Sequence, residues 1–331
     1  GMMKMNTEMK TETRWERNER TERKTESAKV KDQLSVVVPC FNEEESLNRF
    51  FEETTKVLEE MEKKEGITYQ ILFVDDGSRD KTLDILKELA QRSDKVRYLS
   101  FSRNFGKEAA MYAGLKEAEG DYTVVMDADL QHPPALLETM YQNLAESGGK
   151  WDCCGGRRKG REGDGVVRSF FSRGFYKVCK AVTGLDNKDG EGDFRMMNRA
   201  MKDAVLEMSE RSRYMKGIFS FVGFQTLWID YDNVERAAGE SKWNLKSLLR
   251  YAAEGMLAFS TKPLKLSGIL GVLFGGLGIF LAAIGKTGIL IPLMLILSGV
   301  QMSVLYIMGL YMEKSYIELK HRPVYIIRER N

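Results

Sequence analysis

The chain has 331 residues, and its 50 basic and 48 acidic side chains leave a formal charge of +2. This near-neutral balance, without zinc-finger or helix-turn-helix spacing, excludes a nucleic-acid-binding protein. Only two histidines, His132 and His321, are present, which argues against catalysis that relays protons through histidine. The four cysteines have no metal-ligand spacing and indicate reduced thiols in the cytosol.

Residues 1–31 are mostly polar, and Trp15 is their only aromatic side chain. Such a segment cannot bury enough apolar surface to offset its loss of conformational entropy. We expect a disordered tail or a solvated helix here. The segment lacks the apolar core of a secretory signal.

From Leu34 onward, apolar strands alternate with amphipathic, helix-length segments, and we assign residues 32–243 to one catalytic domain. The predicted strands are Leu34–Val38, Gln70–Val74, Val96–Phe101 and Tyr122–Met126. The predicted helices lie near Glu44–Glu62, Lys81–Gln91, Lys107–Ala118 and Pro134–Ala145. Strands that are apolar throughout suit a parallel sheet covered on both faces. The pattern predicts a doubly wound α/β domain that binds ligands beyond the carboxyl ends of its strands.

Two carboxylates, Asp127 and Asp129, follow the fourth predicted strand. Side chains at i and i+2 of a strand point to one face, so both can converge on one hard cation, with Gln131 as a third oxygen ligand. Solvated acids at a strand end explain the pair alone equally well. The buried strand before it favours a site for Mg²⁺ or Mn²⁺ beside a diphosphate, where the cation neutralises a leaving group.

Polar residues also follow the three preceding strands. Asp75 or Asp76 can accept a hydrogen bond from a uracil imide, or can serve as a helix cap. Ser78 or Asp80 offers the same cap. Glu43 can bind ribose hydroxyls or favour a helix N-terminus.

The first residue of the third predicted helix, Lys107, can touch phosphate or remain a solvated lysine. Asp75, Asp76, Glu43, Lys107 and Asp127 together form the candidate donor-nucleotide site. Because four successive strands end in such groups, we predict one nucleotide-sized ligand, a nucleotide-sugar donor.

The α/β alternation stops after Trp151, and Gly155 to Gly165 is predicted to be a glycine-rich loop. Its basic residues, with others nearby, are candidates to bind an acceptor phosphate: Arg157, Arg158, Lys159, Arg161, Arg168, Arg195 and Arg213. A helix near Val166–Val182, the segment 192–195 and a strand near Gln225–Tyr231 complete the soluble part. No general base is evident after the metal site, which favours an acceptor phosphate that is already ionised over a hydroxyl.

Two apolar spans, 264–284 and 289–312, are each long enough to cross about 30 Å of hydrocarbon. The short connection between them predicts a hairpin within 263–313, preceded by a juxtamembrane amphipathic helix at 244–262. Flanking lysines and arginines place both termini, including the tail 314–331, in the cytoplasm. Buried core helices are the alternative. We expect a multi-pass inner-membrane protein whose glycine-rich helices favour a homo-oligomer.

Several motifs together resemble the inverting family 2 glycosyltransferases of GT-A fold, specifically those that act on polyisoprenyl phosphate. The resemblance runs from about Leu34 to Arg328. Its motifs are Val-Val-Pro-Cys-Phe-Asn-Glu-Glu (37–44), Val-Asp-Asp-Gly-Ser (74–78), Ser-Arg-Asn-Phe-Gly-Lys-Glu (102–108), Met-Asp-Ala-Asp-Leu-Gln-His-Pro-Pro (126–134), Gly-Asp-Phe-Arg (192–195), Arg-Tyr-Met-Lys-Gly (213–217), Ala-Gly-Glu-Ser-Lys-Trp (238–243) and Lys-His-Arg-Pro-Val-Tyr (320–325).

The resemblance implies a role for each matched position. The nucleoside-binding residues are Pro39, Phe41, Glu43 and Asp76, and the metal-binding residues are Asp127, Asp129 and Gln131. The residues implied to bind the lipid phosphate or other phosphates are Arg168, Ser172, Arg213, Arg236 and Lys242. Asp193 is implied to lie beside the reacting centre, so that Asp193, Asp129 and Arg168 are the catalytic candidates.

The resulting hypothesis is a metal-dependent transfer of a hexose, with glucose favoured, from a UDP donor to polyprenyl phosphate at a membrane. A processive polysaccharide synthase is one rival, although such enzymes need a base and usually more membrane spans. A non-catalytic nucleotide-sugar-binding membrane subunit is another. A third rival uses the hairpin for assembly only and has a soluble acceptor. Which of Asp127 and Asp129 binds the metal directly is left open by the sequence.

Overall fold

The computed structural model describes residues 32–158, 191–232, 260, 262–285 and 287–331. The segment 1–31, the helix expected near Val166–Val182 and the amphipathic helix up to residue 259 lie outside the described residues. The site candidates outside them are Lys159, Arg161, Arg168, Ser172, Arg236 and Lys242. The domain boundaries placed at 31/32, 243/244 and 262/263 therefore stay predictions.

All four strands and four helices predicted between Leu34 and Ala145 are present, with ends that differ by a few residues. The strands are β1 (Gln33–Cys40), β2 (Thr68–Asp75), β3 (Val96–Phe101), β4 (Tyr122–Val125), β5 (Cys153–Arg158), β6 (Glu191–Asn198), β7 (Thr226–Tyr231) and β8 (Ile327–Arg330). The helices are α1 (Leu47–Glu65), α2 (Thr82–Arg92), α3 (Lys107–Glu117), α4 (Leu136–Ala145), α5 (Arg199–Glu207), α6 (Met215–Phe221), α7 (Lys262–Ala283) and α8 (Leu290–Leu319).

The described strands form one mixed sheet in the order β7-β5-β6-β4-β1-β2-β3-β8. Strands β4, β1, β2 and β3 are parallel, as predicted. The sheet continues on both sides with antiparallel pairings that the sequence did not indicate, because β6 is antiparallel to β4 and β5, and β8 is antiparallel to β3. An antiparallel strand joins a sheet without a helical crossover, so the α/β alternation gives no sign of it.

The glycine-rich segment that begins at Gly155 is a correction, because its first four residues belong to β5 instead of a loop. A Cβ added at Gly155 would lie 2.4 Å from the Trp228 ring, and one at Gly156 would lie 2.6 Å from Phe194. Glycines in a strand often mark such close approaches. Here they admit aromatic rings of β6 and β7 against the β5 backbone.

Alternate residues of β1 supply cores on opposite faces of the sheet. Val36 and Val38 pack in the core formed with α1, α2 and α4, whereas Val37 packs with α3, α5 and α6. Helix α3 lies very close to the sheet, since a Cβ at Gly114 would be 2.2 Å from Val37 Cγ1. This close packing holds the N-terminus of α3, and therefore Lys107, beside the carboxyl ends of β1 and β4.

Beyond the catalytic domain, two apolar helices pack against each other, with Leu293 of α8 buried near Gly278 of α7. Among the described residues, one helix, Pro292–Leu319, is long and apolar enough to cross a membrane, judged by length and composition. The apolar part of α7, Gly268–Leu281, is shorter. The membrane crossing of both helices, and the topology of the pair, stay predictions.

The expected C-terminal tail is folded onto the catalytic domain. Strand β8 extends the sheet next to β3, and Tyr325 stacks on Phe101 with ring centroids 4.9 Å apart. The Asn331 side chain accepts a hydrogen bond from the Tyr98 amide at 2.7 Å and donates one to the Val96 carbonyl at 3.2 Å. The chain thus leaves the domain for the apolar helices and returns to its edge.

Candidate active site

The loops that follow β1 and β2 are joined by backbone-to-side-chain hydrogen bonds. The Asn42 amide donates to Ser78 Oγ at 2.9 Å, and the Asn42 side-chain oxygen accepts from the Arg79 amide at 2.9 Å. The Glu43 amide donates to Thr82 Oγ1 at 2.8 Å. Asn42 has a φ of 53°, a left-handed conformation that asparagine tolerates better than most residues. These contacts fix the backbone on either side of Phe41.

The candidate nucleoside-binding residues of the β1 loop lie together at this edge. Pro39 is a buried residue of β1, Phe41 is half-buried, and Glu43 Oε2 accepts a hydrogen bond from Ser46 Oγ at 3.1 Å just before α1. Of the alternatives for Glu43, the structure shows the local contact near the helix N-terminus. Nucleoside binding by the three residues stays a prediction.

Asp75 and Asp76 are both buried and both engaged by neighbouring groups. Asp75 accepts hydrogen bonds from Ser100 Oγ at 2.7 Å and from the Ser78 amide at 3.0 Å. Asp76 accepts from the amides of Phe105 and Gly106, at 2.6 and 2.9 Å. Asp75 thus holds the turn before α2 and does not cap that helix, whose first amide, of Thr82, donates to Asp80 Oδ1 at 3.0 Å. Asp76 holds the loop that begins α3. Contact of either carboxylate with a uracil base stays a prediction.

The Asp127–Asp129 pair does not lie in a strand, which corrects the geometric argument that placed both side chains on one face. Strand β4 ends at Val125, and the chain then turns, with Leu130 at a φ of 58°. The turn is held by Asp129, whose Oδ1 accepts a hydrogen bond from the Gln131 amide at 3.1 Å. The pleat of a strand therefore does not decide where the two carboxylates point.

An ammonium group joins two of the candidate carboxylates. Lys107 Nζ lies 2.7 and 3.0 Å from the two oxygens of Asp127 and 3.1 Å from Asp193 Oδ2. Burial by itself lowers the pKa of Lys107, but the two carboxylates outweigh it and raise this pKa. Of the two alternatives for Lys107, a freely solvated side chain is excluded.

Both carboxylates are held in the charged form. Burial by itself raises the pKa of Asp193, but Lys107 and then Lys216 lower it more strongly, so that the net pKa is well below its usual range. The pKa of Asp127 is lowered in the same way by Lys107 against the effect of burial. Asp193 Oδ1 is buried without a hydrogen-bond partner among the described residues.

His132 supports the backbone of Asp127. Its Nδ1 accepts a hydrogen bond from the Asp127 amide at 3.1 Å, and its ring stacks on Phe194 with centroids 4.8 Å apart and planes 9° apart. Burial lowers the pKa of His132, and Lys107 opposes the raising effect of Asp127. A neutral His132 with Nδ1 as acceptor carries its proton on Nε2, which lies 4.0 Å from Asp127 Oδ2.

Gln131 is oriented by Arg158, one of the basic candidates for the acceptor phosphate. Arg158 Nη2 donates to Gln131 Oε1 at 3.1 Å, and its Nε donates to the Tyr231 hydroxyl at 3.2 Å. No spacing in the sequence indicates this contact, because it joins the end of β5 to the turn after β4. His132, which directly follows Gln131 in the same motif, is a second supporting residue that the sequence did not indicate.

The described basic candidates for acceptor phosphate are engaged within the protein. Arg157 forms two hydrogen bonds with Asp230, at 2.7 and 3.1 Å. Arg195 is buried, donates to the Gly192 carbonyl at 2.8 Å, and lies 4.1 Å from the Phe219 ring centroid.

Arg213, a further described candidate, is buried behind α5. It donates to the carbonyls of Met208 and Val205, at 2.6 and 3.1 Å, and so caps the C-terminal end of the helix. Phosphate binding by Arg157, Arg158, Arg195 and Arg213 stays a prediction.

The donor atoms near the turn suit a hard divalent cation. Within the described ranges, no group of three or more Asp, Glu, His or Cys side chains forms a metal site. Asp127, Asp129 and Gln131 offer two carboxylates and one amide oxygen, and Mg²⁺ is commonly held by one or two carboxylates together with substrate phosphates. The orphaned oxygen of Asp193 is a further buried acceptor nearby. The donor set therefore fits such a cation.

Comparisons with known proteins agree over most of the chain. The family model described as "Glycosyl transferase family 2" matches residues 35–206. The protein named "Putative glycosyltransferase CsbB" of Bacillus subtilis (strain 168) is 38% identical over 310 residues, which cover 90% of this chain and 92% of CsbB. The bactoprenol glucosyl transferase of Shigella phage SfV is 35% identical over 312 residues, 89% of this chain and 98% of that protein.

Among solved structures, one match is the glucosyl-3-phosphoglycerate synthase of Mycobacterium tuberculosis, in complex with Mn²⁺ and UDP-glucose. It is 19% identical, with a TM-score of 0.46, and the match covers 71% of this chain and 80% of that one.

Proposed function

The chain belongs to glycosyl transferase family 2, and from that premise we propose that it transfers one hexose from a nucleotide-diphosphate donor to the phosphate of a polyprenyl lipid. The observation that carries the proposal is the cluster of Lys107, Asp127 and Asp193 beside the carboxyl ends of the parallel strands. Ligands of doubly wound sheets bind at that edge.

The donor half of the site is proposed to follow the loops of the first four strands. Pro39, Phe41, Glu43 and Asp76 are assigned to the nucleoside, with UDP as the favoured donor. Asp127, Asp129 and Gln131 would hold Mg²⁺ or Mn²⁺, which supplies positive charge where the leaving diphosphate develops negative charge.

A phosphate acceptor suits the electrostatics of Asp193. A general base works best when its pKa is near the working pH, whereas Lys107 and Lys216 keep the pKa of Asp193 low. His132 Nδ1 already accepts the Asp127 amide, so it is not open to take a proton. A phosphate monoester is largely a dianion at neutral pH and needs no base. Arg168 and Ser172 are assigned to this phosphate.

A lipid acceptor is supported by two further observations. The SfV relative, at 35% identity over most of its length, is named for action on bactoprenol. This chain also carries a helix, Pro292–Leu319, that is long and apolar enough to cross a membrane. We propose that α7 and α8 hold the site at the cytoplasmic face of the inner membrane.

The direct test supplies purified protein with UDP-[14C]glucose, Mn²⁺ and undecaprenyl phosphate, and measures label in the lipid fraction. Labelled lipid is expected, and chelation with EDTA should abolish it. Other nucleotide sugars are tried in parallel, because the base and the sugar are inferred from family resemblance. If the lipid fraction carries no label with any common donor, the proposal is contradicted.

A substitution tests the metal assignment within the same assay. Asp129→Asn removes a carboxylate charge but keeps the shape of the side chain, so transfer is expected to fall by at least about 100-fold, as for loss of a charge-stabilising group. Asp203→Asn, on α5 away from the site, is the matched control and should retain activity. An Asp129→Asn protein with full, Mn²⁺-dependent activity would refute the assignment.

A further inference from the structure

Both oxygens of Asp127 already face a cation that belongs to the protein. The Lys107 ammonium lies 2.7 and 3.0 Å from them, within charge-assisted hydrogen-bond distance. Its side chain is 42% exposed, compared with 28% for Asp127, so the pair opens to solvent on one side. A diphosphate or a metal ion can therefore reach it.

A divalent cation and this ammonium compete for the same carboxylate. Two positive charges a few ångströms apart repel each other unless negative charge lies between or beside them. Asp127 alone carries one negative charge, which Lys107 already neutralises at hydrogen-bond distance. A metal ion that approaches Asp127 in the free protein therefore meets a carboxylate whose charge is already balanced by the ammonium.

A second carboxylate provides Lys107 with another contact. Asp193 Oδ2 is 3.1 Å from Nζ, and Asp193 is a half-covered residue of β6 whose side chain is 14% exposed. Lys107 can keep this contact when Asp127 turns to a metal ion, so that losing Asp127 does not leave the ammonium unpaired. An incoming diphosphate supplies further negative charge for both cations.

We propose that Lys107 is a positioning residue that serves as the internal counter-ion of Asp127 and keeps the divalent cation weakly bound until a nucleoside diphosphate arrives. This inference rests on the proposed function, because a diphosphate donor provides the charge that lets ammonium and metal ion share the site. Metal and nucleotide then strengthen each other's binding, which makes their binding energetically coupled.

The test measures Mn²⁺ binding to the full-length protein in detergent, with and without UDP, by the electron paramagnetic resonance signal of free Mn²⁺. Without UDP, Lys107→Met is expected to bind Mn²⁺ about tenfold more tightly than the wild type, within the usual range of coupling between sites. The gain in Mn²⁺ affinity that UDP causes is expected to shrink by a similar factor in the variant. No turnover enters this measurement.

Lys116→Met is the matched control, because Lys116 is an exposed lysine on the same helix, away from the site. It should leave Mn²⁺ binding unchanged. Lys107→Arg, which keeps the charge, should stay close to the wild type. If Lys107→Met does not fold, Lys107→Gln removes the same charge while keeping a hydrogen-bond donor.

An unchanged or weaker Mn²⁺ affinity in a folded, charge-removing variant of Lys107 overturns the inference. That result is distinguishable from failure of the proposed function. Absence of lipid-phosphate transfer overturns the proposed function, whereas the comparison of Mn²⁺ affinities is made without an acceptor and stands by itself.

Discussion

Two carboxylates near the site, the buried Asp76 and the half-covered Asp193, have pKa values that shift in opposite directions. Burial raises the pKa of Asp76 to about 6, and hydrogen bonds from the Phe105 and Gly106 amides only partly offset it. At Asp193 the effect of burial is outweighed by Lys107. A nearby ammonium group decides the difference, since the amide hydrogen bonds at Asp76 carry no net charge.

The raised pKa of Asp76 predicts a pH dependence of stability. The folded protein binds this proton more tightly than the unfolded chain, so the favourable contribution is complete below about pH 4 and is lost as the pH rises to about 6. Relative to Asp76→Asn, the unfolding free energy of the wild type should fall by up to about 3 kcal/mol over that range. Urea denaturation of both proteins at several pH values measures it.

In that comparison, Asp84→Asn on α2 is a control that should follow the wild type, because Asp84 lies in an exposed part of the helix. A difference between wild type and Asp76→Asn that stays constant, or that grows as the pH rises, would contradict the assignment of the raised pKa to Asp76.

At the scale of elements, β8 covers one edge of the sheet. Unpaired edge strands readily pair with other chains, and β8 supplies β3 with a partner. The Tyr325 ring lies against Phe101, which also contacts Phe105 at 5.8 Å between ring centroids. Because the Phe105 amide binds Asp76, the C-terminal segment packs behind the loop that begins α3.

Loss of the Tyr325 ring should therefore destabilise the catalytic domain. Tyr325→Ala removes the stack on Phe101 and a contact with Tyr112. Because the ring is only half-buried, the free energy of unfolding is expected to fall by about 2 kcal/mol, less than on removal of a fully buried aromatic side chain. Arg328→Ala, at an exposed position of β8, is the control and should change little. Thermal unfolding in the same detergent compares them, and equal Tm values would refute a stabilising role for the Tyr325 ring.

At the scale of the molecule, hydrogen bonds join the catalytic domain to the C-terminal end of α8. The Arg211 side chain donates to the Glu318 carbonyl at 2.8 Å and also contacts the Arg322 carbonyl. The Arg211 amide donates to Glu318 Oε1 at 2.8 Å. These contacts and β8 hold the domain next to one end of the apolar helix, so a membrane that contains α8 would fix the distance of the site from its surface.

The apolar surface of α8 predicts that the helix inserts into a membrane. Lysine substitutions should then disturb insertion more at the centre of the helix than near its end. Met302 and Leu305 are 66% and 52% exposed, and lysine at the centre of a span costs about 3 kcal/mol per residue. The double change Met302→Lys, Leu305→Lys should lower the fraction of protein that stays with membranes after an alkaline carbonate wash. Tyr316→Lys, near the helix end, is the control because its ammonium can reach the interface. Equal retention of all three proteins would argue against insertion of α8.

The sequence by itself determined the parallel core of the sheet and showed that the site lies at the carboxyl ends of its strands. Strands covered on both faces are apolar throughout, and the positions where they stop are visible as polar residues such as Asp75 and Asp127. The family also follows from the motifs alone, because each combines several residue types at fixed spacing. Strand patterns, strand ends and motif spacings depend only on residues that are near one another along the chain, so they can be recognised without knowing any distant contact.

Only the tertiary structure decided which side chains meet. Lys107 lies on α3, Asp127 in the turn after β4, and Asp193 on β6. They meet because the antiparallel strand β6 lies beside β4. Arg158 reaches Gln131 for a similar reason, and β8 returns to β3 from the far side of the apolar helices. Such contacts depend on strand order and register, which local patterns of burial do not encode.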